Sequence, residues 1–174
     1  ISSQPLGMEV QLTAWAFNCS DLPVLNNTIF TSHKLIYRGV EQLDSCFLGI
    51  WTDFDIGCYG DDYIGCAPAL NTCYAYNTDA VDGLLGTTCN GVPTFAAAPV
   101  QSVTFLNNDL KKFIGYPNSS VITVPAAITD PTTVPEYYNY LSGHWRDGTP
   151  MTAGGNGYNP ASSIPANFQF PDNP

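Results

Sequence analysis

Alternation of apolar and polar positions is the strongest regularity in this chain. Residues 8–17 (MEVQLTAWAF) put Met8, Val10, Leu12, Ala14 and Ala16 on one face of an extended strand. Glu9, Gln11, Thr13, Trp15 and Phe17 fall on the other face. A second strand is predicted over 28–38 (TIFTSHKLIYR), which alternates less cleanly but is rich in β-branched and aromatic residues. Gly39-Val40-Glu41-Gln42 reads as a turn, followed by a strand over 45–52 (SCFLGIWT). Shorter strands are predicted at 62–66, 73–77, 100–106 and 121–124, divided by Asn, Asp, Gly and Pro. This pattern predicts an all-β fold, an antiparallel β-sandwich. The irregular strand spacing and long loops favour a jelly-roll-like arrangement over an immunoglobulin one.

One helix interrupts the β pattern. Thr133-Val134-Pro135-Glu136 has the form of a capping box, with Thr133 as N-cap and Glu136 three residues on. Pro135 fits the first turn, where its missing N–H costs nothing. The helix is predicted near 134–142 and ends at Gly143, with Tyr137, Tyr140 and Leu141 closing one end of the sandwich. Beyond it the chain turns rich in Gly, Pro, Asn and Ser, with Phe168 and Phe170 alternating around Gln169. An ordered arm is expected there rather than a free linker, because linkers seldom carry aromatics that need burial.

The 174 residues suit a single domain spanning 1–174, with extended arms at about 1–7 and 156–174. Charged residues make up only 11% of the chain, which excludes a coiled coil, a long helical bundle and a charge-driven disordered chain. Five basic against fifteen acidic residues give −10, a field that repels phosphate and favours cations, so nucleic acid is not an expected partner. No apolar run approaches the ~20 residues that span a membrane as a helix. Ile1 is not an initiator methionine and no signal peptide is present, so a processed or trimmed chain is expected.

Cys19, Cys46, Cys58, Cys66, Cys73 and Cys89 form no CxxC pair, and His33 and His144 are not spaced as zinc partners for them. An even count in an acidic, lysine-poor chain reads as disulfides in an oxidising extracellular space. Chain proximity suggests Cys58–Cys66, Cys73–Cys89 and Cys19–Cys46, none of them catalytic.

The densest chemistry lies in WTDFDIGCYGDDY, where Asp53, Asp55, Asp61 and Asp62 fall within ten residues. Like charges so close are unfavourable unless a cation or hydrogen bonds offset them. The competing readings are a solvated acidic loop and a Ca²⁺ site, with carbonyl oxygens near Gly57 completing the shell. The spacing is not that of an EF-hand, since Ile64 and not a bidentate Glu stands twelfth from Asp53. Asn77-Thr78-Asp79-Ala80-Val81-Asp82-Gly83 is a second, weaker cluster that reads as a turn or joins the first site across a hairpin. Asp53 with Asp61 or Asp62 also fits the paired acids of a glycoside hydrolase, but no apolar pocket is evident to hold one of them protonated. GxSxG, HExxH and phosphate-loop motifs are absent, and the expectation is a protein that is not an enzyme. Trp15, Trp51, Trp145 and ten tyrosines suit either a sugar-binding platform or an ordinary sandwich core. Sequons stand at Asn18, Asn26 and Asn118.

The stretches GMEVQLTAWAFN, LNNTIFTSHKLIYRG, LGIWTDFDIGCYGDDYIGC, LNTCYAYNTD and YLSGHWRDGTPMTAGGNGYNP resemble an uncharacterised β-rich module. That module occurs in large secreted and cell-surface bacterial proteins exported by the type IX secretion system. The resemblance runs from about Gly7 to Phe170, with WTDFDIG and DDYIGC its most specific part. The chain departs from the pattern in its extra cysteines and in showing no sorting domain. The resemblance implies an extracellular or cell-surface location and no particular reaction. The expected function is a non-enzymatic structural subunit of an extracellular assembly, a fibre, filament or adhesin, stabilised by Ca²⁺ and disulfides. A carbohydrate-binding module is the alternative, and a glycoside hydrolase the third class. Copies of the chain are expected to join head to tail by strand donation, with Ile1, Leu6 and Met8, or Phe168 and Phe170, as anchors, the competing reading being that both arms fold back on their own domain. Glycans are a further expected partner.

Overall fold

The computed structural model describes residues 5–83, 95–121, 123–158 and 162–172. Among these the fold is β-rich, with most regular structure in two antiparallel sheets and one helix of more than a turn. The chain divides into two compact units, Ser2–Cys46 and Phe47–Pro174. No helix among the described residues is long and apolar enough to cross a membrane.

The first unit is a β-ribbon. β1 (Met8–Ala16) pairs antiparallel with β2 (Ile29–Tyr37) over nine residue pairs, from Met8 opposite Tyr37 to Ala16 opposite Ile29. A one-turn helix, α1 (Pro23–Asn26), sits in the connection, with Pro23 at its start, where no N–H is needed. The open end is closed by the Arg38 N–H donating to the Gly7 carbonyl at 2.8 Å and by an Arg38–Glu9 ion pair at 3.0 Å. The predicted alternation holds. Register places Val10 beside Leu35 and Leu12 beside His33 on one face, and Gln11 beside Lys34 and Trp15 beside Phe30 on the other. Trp15 stacks on Phe30 with ring centres 5.6 Å apart, and Phe17 meets Phe30 edge-on.

The second unit holds a three-stranded sheet, β3 (Asp62–Ala67), β4 (Thr72–Asn77) and β5 (Val100–Thr104), ordered β3-β4-β5. A 3₁₀ turn at Pro68–Leu70 joins β3 to β4, and Asn71 closes it in the left-handed region at φ 53°. Asn tolerates that conformation well. Cys66, Cys73, Ala75 and Asn77 are buried on one face. Tyr63, Tyr74 and Tyr76 pave the other, with neighbouring ring centres under 6 Å apart. Gly65 is required beneath them, because a Cβ there would lie 2.7 Å from the Tyr74 ring.

A separate apolar cluster forms around α2 (Val134–Leu141). Trp145 is fully buried, with Tyr140 and Ile128 beside it and Ile114, Tyr116, Val124 and Tyr158 around them. Trp145 is thus a core residue and no part of a sugar platform. The predicted capping arrangement is present: the Glu136 carboxylate accepts the Thr133 N–H at 2.9 Å and the Thr132 N–H at 2.6 Å, and pairs with Arg146 at 3.0 Å. The Thr132 backbone N–H leads the effects that hold Glu136 down at about 2. A carboxyl lowered in the fold stabilises it above the unfolded value of about 4.5, and that stability is lost as pH falls toward 2. Between those pH values the wild type is expected to lose more thermal stability than Glu136→Gln, as read by circular dichroism melts.

Two expectations are corrected, and the described C-terminal residues follow the second of two competing readings. Residues 45–52 form no strand: Ser45 takes φ 55°, which breaks the extended run, and Phe47 packs edge-on against Tyr138 instead. The described residues of 121–124 are turn rather than strand, because the Val121 N–H donates back to the Asn118 carbonyl and Pro125 leads into a 3₁₀ turn. The described part of the C-terminal arm folds back on its own unit. Phe113 bridges Phe168, Thr152 bridges Pro165 and Cys66 bridges Pro171, while the buried Gln169 side chain ties the Gly115 N–H to the Asn156 carbonyl. Phe168 is therefore half-buried at home, and Phe170 keeps its exposure at φ 47°.

Candidate functional site

The two acidic stretches converge at the start of β3. Asp82, nearly fully buried, accepts the Cys58 N–H through Oδ1 at 2.7 Å. Gly57 makes this approach feasible, since it sits at φ 78° and any Cβ there would fall 2.1 Å from the Asp82 carboxylate. Asp61 Oδ2 accepts the Gly83 N–H at 2.7 Å and the Asn77 side-chain amide at 3.2 Å. Asp79 Oδ1 accepts the Val81 N–H at 2.7 Å and shapes the intervening turn. The 77–83 stretch thus serves as both turn and site wall.

Two acceptors in this cluster are unused. Asp61 Oδ1 and Asp62 Oδ1 are removed from solvent and have no hydrogen-bond partner among the described residues. Burial raises the Asp62 carboxyl above its ordinary range; the charges of Asp61, Asp82 and Asp55 add to this, and the Ile56 backbone N–H opposes it. Beside the cluster lies a depression of about 150 Å³ lined by Asp61, Tyr63, Thr78, Asp79, Val81 and Gly83. Small-molecule sites run from about 300 to 1,000 Å³, so this volume suits an ion with its waters or a single polar group.

Asp61 and Asp62 thus adjoin each other, the charges of Asp82 and Asp55 act on Asp62, and Gly57 packs under Asp82. The Tyr116 hydroxyl is raised chiefly by burial and further by the charges of Asp130, Tyr137 and Asp53. Among the described residues, no three acidic, cysteine or histidine side chains form a ready-made metal cage. Any cation here must draw on two carboxylates plus backbone oxygens and water, a mixture Ca²⁺ accepts.

The cysteine pairing expected from chain proximity is corrected. Cys58 is disulfide-bonded, but Cys19, Cys46, Cys66 and Cys73 are free thiols, so Cys58–Cys66, Cys73–Cys89 and Cys19–Cys46 are not formed. The reason is local: β3–β4 pairing draws Cys66 and Cys73 onto one buried face, while Cys58 stays in the loop tied to Asp82. Cys89 and Ile1 lie outside the described residues. Of the other anchors, Leu6 and Met8 are exposed. All three sequon asparagines are exposed, though the Asn26 side chain accepts the Cys19 N–H and that of Asn118 accepts the Ser120 N–H. His33 stands on the ribbon opposite Leu12, and His144 Nδ1 lies 2.9 Å from the Ser142 hydroxyl. Compared with known protein families, curated proteins and solved structures, the chain matches none of them.

Proposed function

We propose that this chain is a non-enzymatic structural subunit of an extracellular bacterial assembly, a surface fibre or adhesin in which copies join head to tail. One observation carries the reading. Among the described residues the β1–β2 ribbon is two strands wide, so each nine-residue strand keeps an edge about 30 Å long that no described strand pairs with. Its apolar face is also uncovered: Met8, Val10, Leu12, Ile29, Leu35 and Tyr37 are all exposed. An isolated two-stranded hairpin is marginally stable in water, and open apolar edges template pairing with another chain. The occupant is a second copy. Its acceptor is the outer edge of β5, the edge strand of the three-stranded sheet. Ribbon to β5 is a heterologous contact, which repeats without closing and builds a filament. Packing of neighbouring sheets would complete the jelly-roll-like sandwich that the alternation suggests.

In the same reading Ca²⁺ binds at Asp61 and Asp62, with Asp55 and Asp82 contributing charge and carbonyls near Gly57 contributing oxygen. The orphaned Asp61 and Asp62 oxygens support this. An extracellular location under type IX export rests on the sequence resemblance alone. A second reading, a carbohydrate-binding module, draws support from Trp51 at 70% exposed and from the Tyr63 wall of the small depression. A glycan array on monomeric protein separates it, since a structural subunit gives no selective signal.

The assembly reading is tested by light scattering and electron microscopy of the full chain. Wild type is expected to form polymers. Leu12→Asp, which charges the ribbon's apolar face, is expected to leave folded monomer. Ser102→Pro is expected to do the same from the acceptor side. Register alternation turns the Ser102 N–H away from β4, so proline removes an edge donor without a ladder bond. Polymers that persist in both variants overturn the reading.

A further inference from the structure

Cys66 and Cys73 stand directly opposite each other in the β3–β4 ladder. Antiparallel pairs alternate between wide hydrogen-bonded positions and narrow positions that exchange no backbone bond, with Cα atoms about 5.5 and 4.5 Å apart in general. The Cys66 backbone settles which kind this is. Its N–H donates to the Phe170 carbonyl at 3.2 Å and its carbonyl accepts the Asp172 N–H at 2.8 Å, so both groups face away from β4. The pair is therefore a narrow one. Both side chains point to the buried face, where Cys66 is fully enclosed and Cys73 nearly so. The Cys66 thiol donates to the Gln169 carbonyl in a sulfur-length contact of 3.4 Å. Side chains at narrow positions are close enough for a bridge that needs Cα atoms 4.4–6.8 Å apart in general.

We propose that Cys66 and Cys73 are a cross-strand disulfide site, closed when the chain folds in the presence of a low-molecular-weight disulfide such as oxidised glutathione. One protein thiolate attacks the oxidant, forming a mixed disulfide and releasing one small thiol. The second protein thiolate then attacks the protein sulfur of that intermediate, forming the Cys66–Cys73 bond and releasing the second thiol. Two protein protons pass to the two released thiolates, the oxidant gains two electrons and the cysteines lose two. Once folded, the dithiol is slow to react, because burial pushes the Cys66 thiol up to about 12. Closure thus belongs to folding, before burial is complete. This inference is independent of the assembly reading.

The full chain is refolded from the reduced, denatured state in a glutathione redox buffer and, separately, in excess dithiothreitol. Each sample is alkylated in denaturant and cut with chymotrypsin, which releases residues 64–74 after Tyr63 and Tyr74. In the glutathione sample this peptide is expected unalkylated and two hydrogens lighter than its thiol form, gaining two alkyl groups only after reduction. The gap in melting temperature between the oxidised and reduced samples is expected to be about 5 °C wider for wild type than for Cys66→Ala/Cys73→Ala. Two alkylated cysteines in the glutathione sample, or either one linked to another cysteine, overturns the proposal. The peptide map needs only wild-type protein, so it stands even where the double variant fails to fold.

Discussion

Trp145→Ala is expected to lower the melting temperature of the second unit by about 10–15 °C. Trp145 is fully buried, its indole N–H donates to the Gly157 carbonyl at 2.9 Å, and Tyr140 and Tyr158 meet it edge-on. Truncating a buried tryptophan to alanine costs about 3–5 kcal/mol through lost transfer energy and the cavity left behind. The orphaned Gly157 carbonyl adds about 1 kcal/mol or more. Against a total stability of about 5–15 kcal/mol, that is a large share. Each kcal/mol shifts a domain of this size by about 2–4 °C, so the loss spans about 8–24 °C and brackets the stated range. Trp51→Ala is the control: its side chain is mostly exposed, and its melting temperature should move by no more than about 2 °C. Equal melting of Trp145→Ala and wild type by calorimetry would show that the indole is not part of the core.

Calcium is expected to raise the melting temperature at pH 7 by about 5–10 °C when present at a hundredfold excess over its dissociation constant. Mass action at that ratio contributes about 2.7 kcal/mol. The sign of the pH dependence follows from Asp62. A carboxyl raised in the fold stabilises it most below the unfolded value, and that contribution disappears as pH rises through the folded value. At neutral pH an ionised Asp62 is therefore a cost, and a cation at the site relieves it. Asp62→Asn removes the cost in another way. Without metal it should melt at or above wild type, and with calcium it should gain nothing. The calcium increment in wild type should grow as pH rises from the ordinary carboxylate range toward neutrality, and chelation should abolish it. An unchanged melting temperature on chelation at pH 7 would mean the acidic cluster holds no calcium.

The parts of this architecture legible in the sequence are those set by near neighbours. Thr133 to Glu136 announce a helix start because cap and acceptor are three residues apart. The ribbon is announced by period-two alternation in both of its strands. The 45–52 run misled because its composition suits a strand, whereas Ser45 takes a left-handed conformation and the segment joins neither sheet among the described residues. The site was half legible: the Asp61–Asp62 pair is conspicuous, but the arrival of Asp82 depends on a Cys58 contact 24 residues away and on the absence of a side chain at Gly57. The cysteine pairing failed for a related reason. Proximity along the chain favours Cys58 with Cys66, while register sets Cys66 against Cys73.

The fold-back of the C-terminal segment has a consequence in time. The Cys66–Gln169 contact spans 103 residues, and Phe113 meets Asn167 and Phe168 only after most of the chain has been made. A chain synthesised at about 5–20 residues per second exposes the β3–β4 hairpin for roughly 5–20 s before the segment that covers it exists. During that interval the two thiols face solvent and the outer edge of β3 has no neighbour. Any oxidant or chaperone in the surroundings has access to the hairpin then, and loses it when residues 167–172 dock.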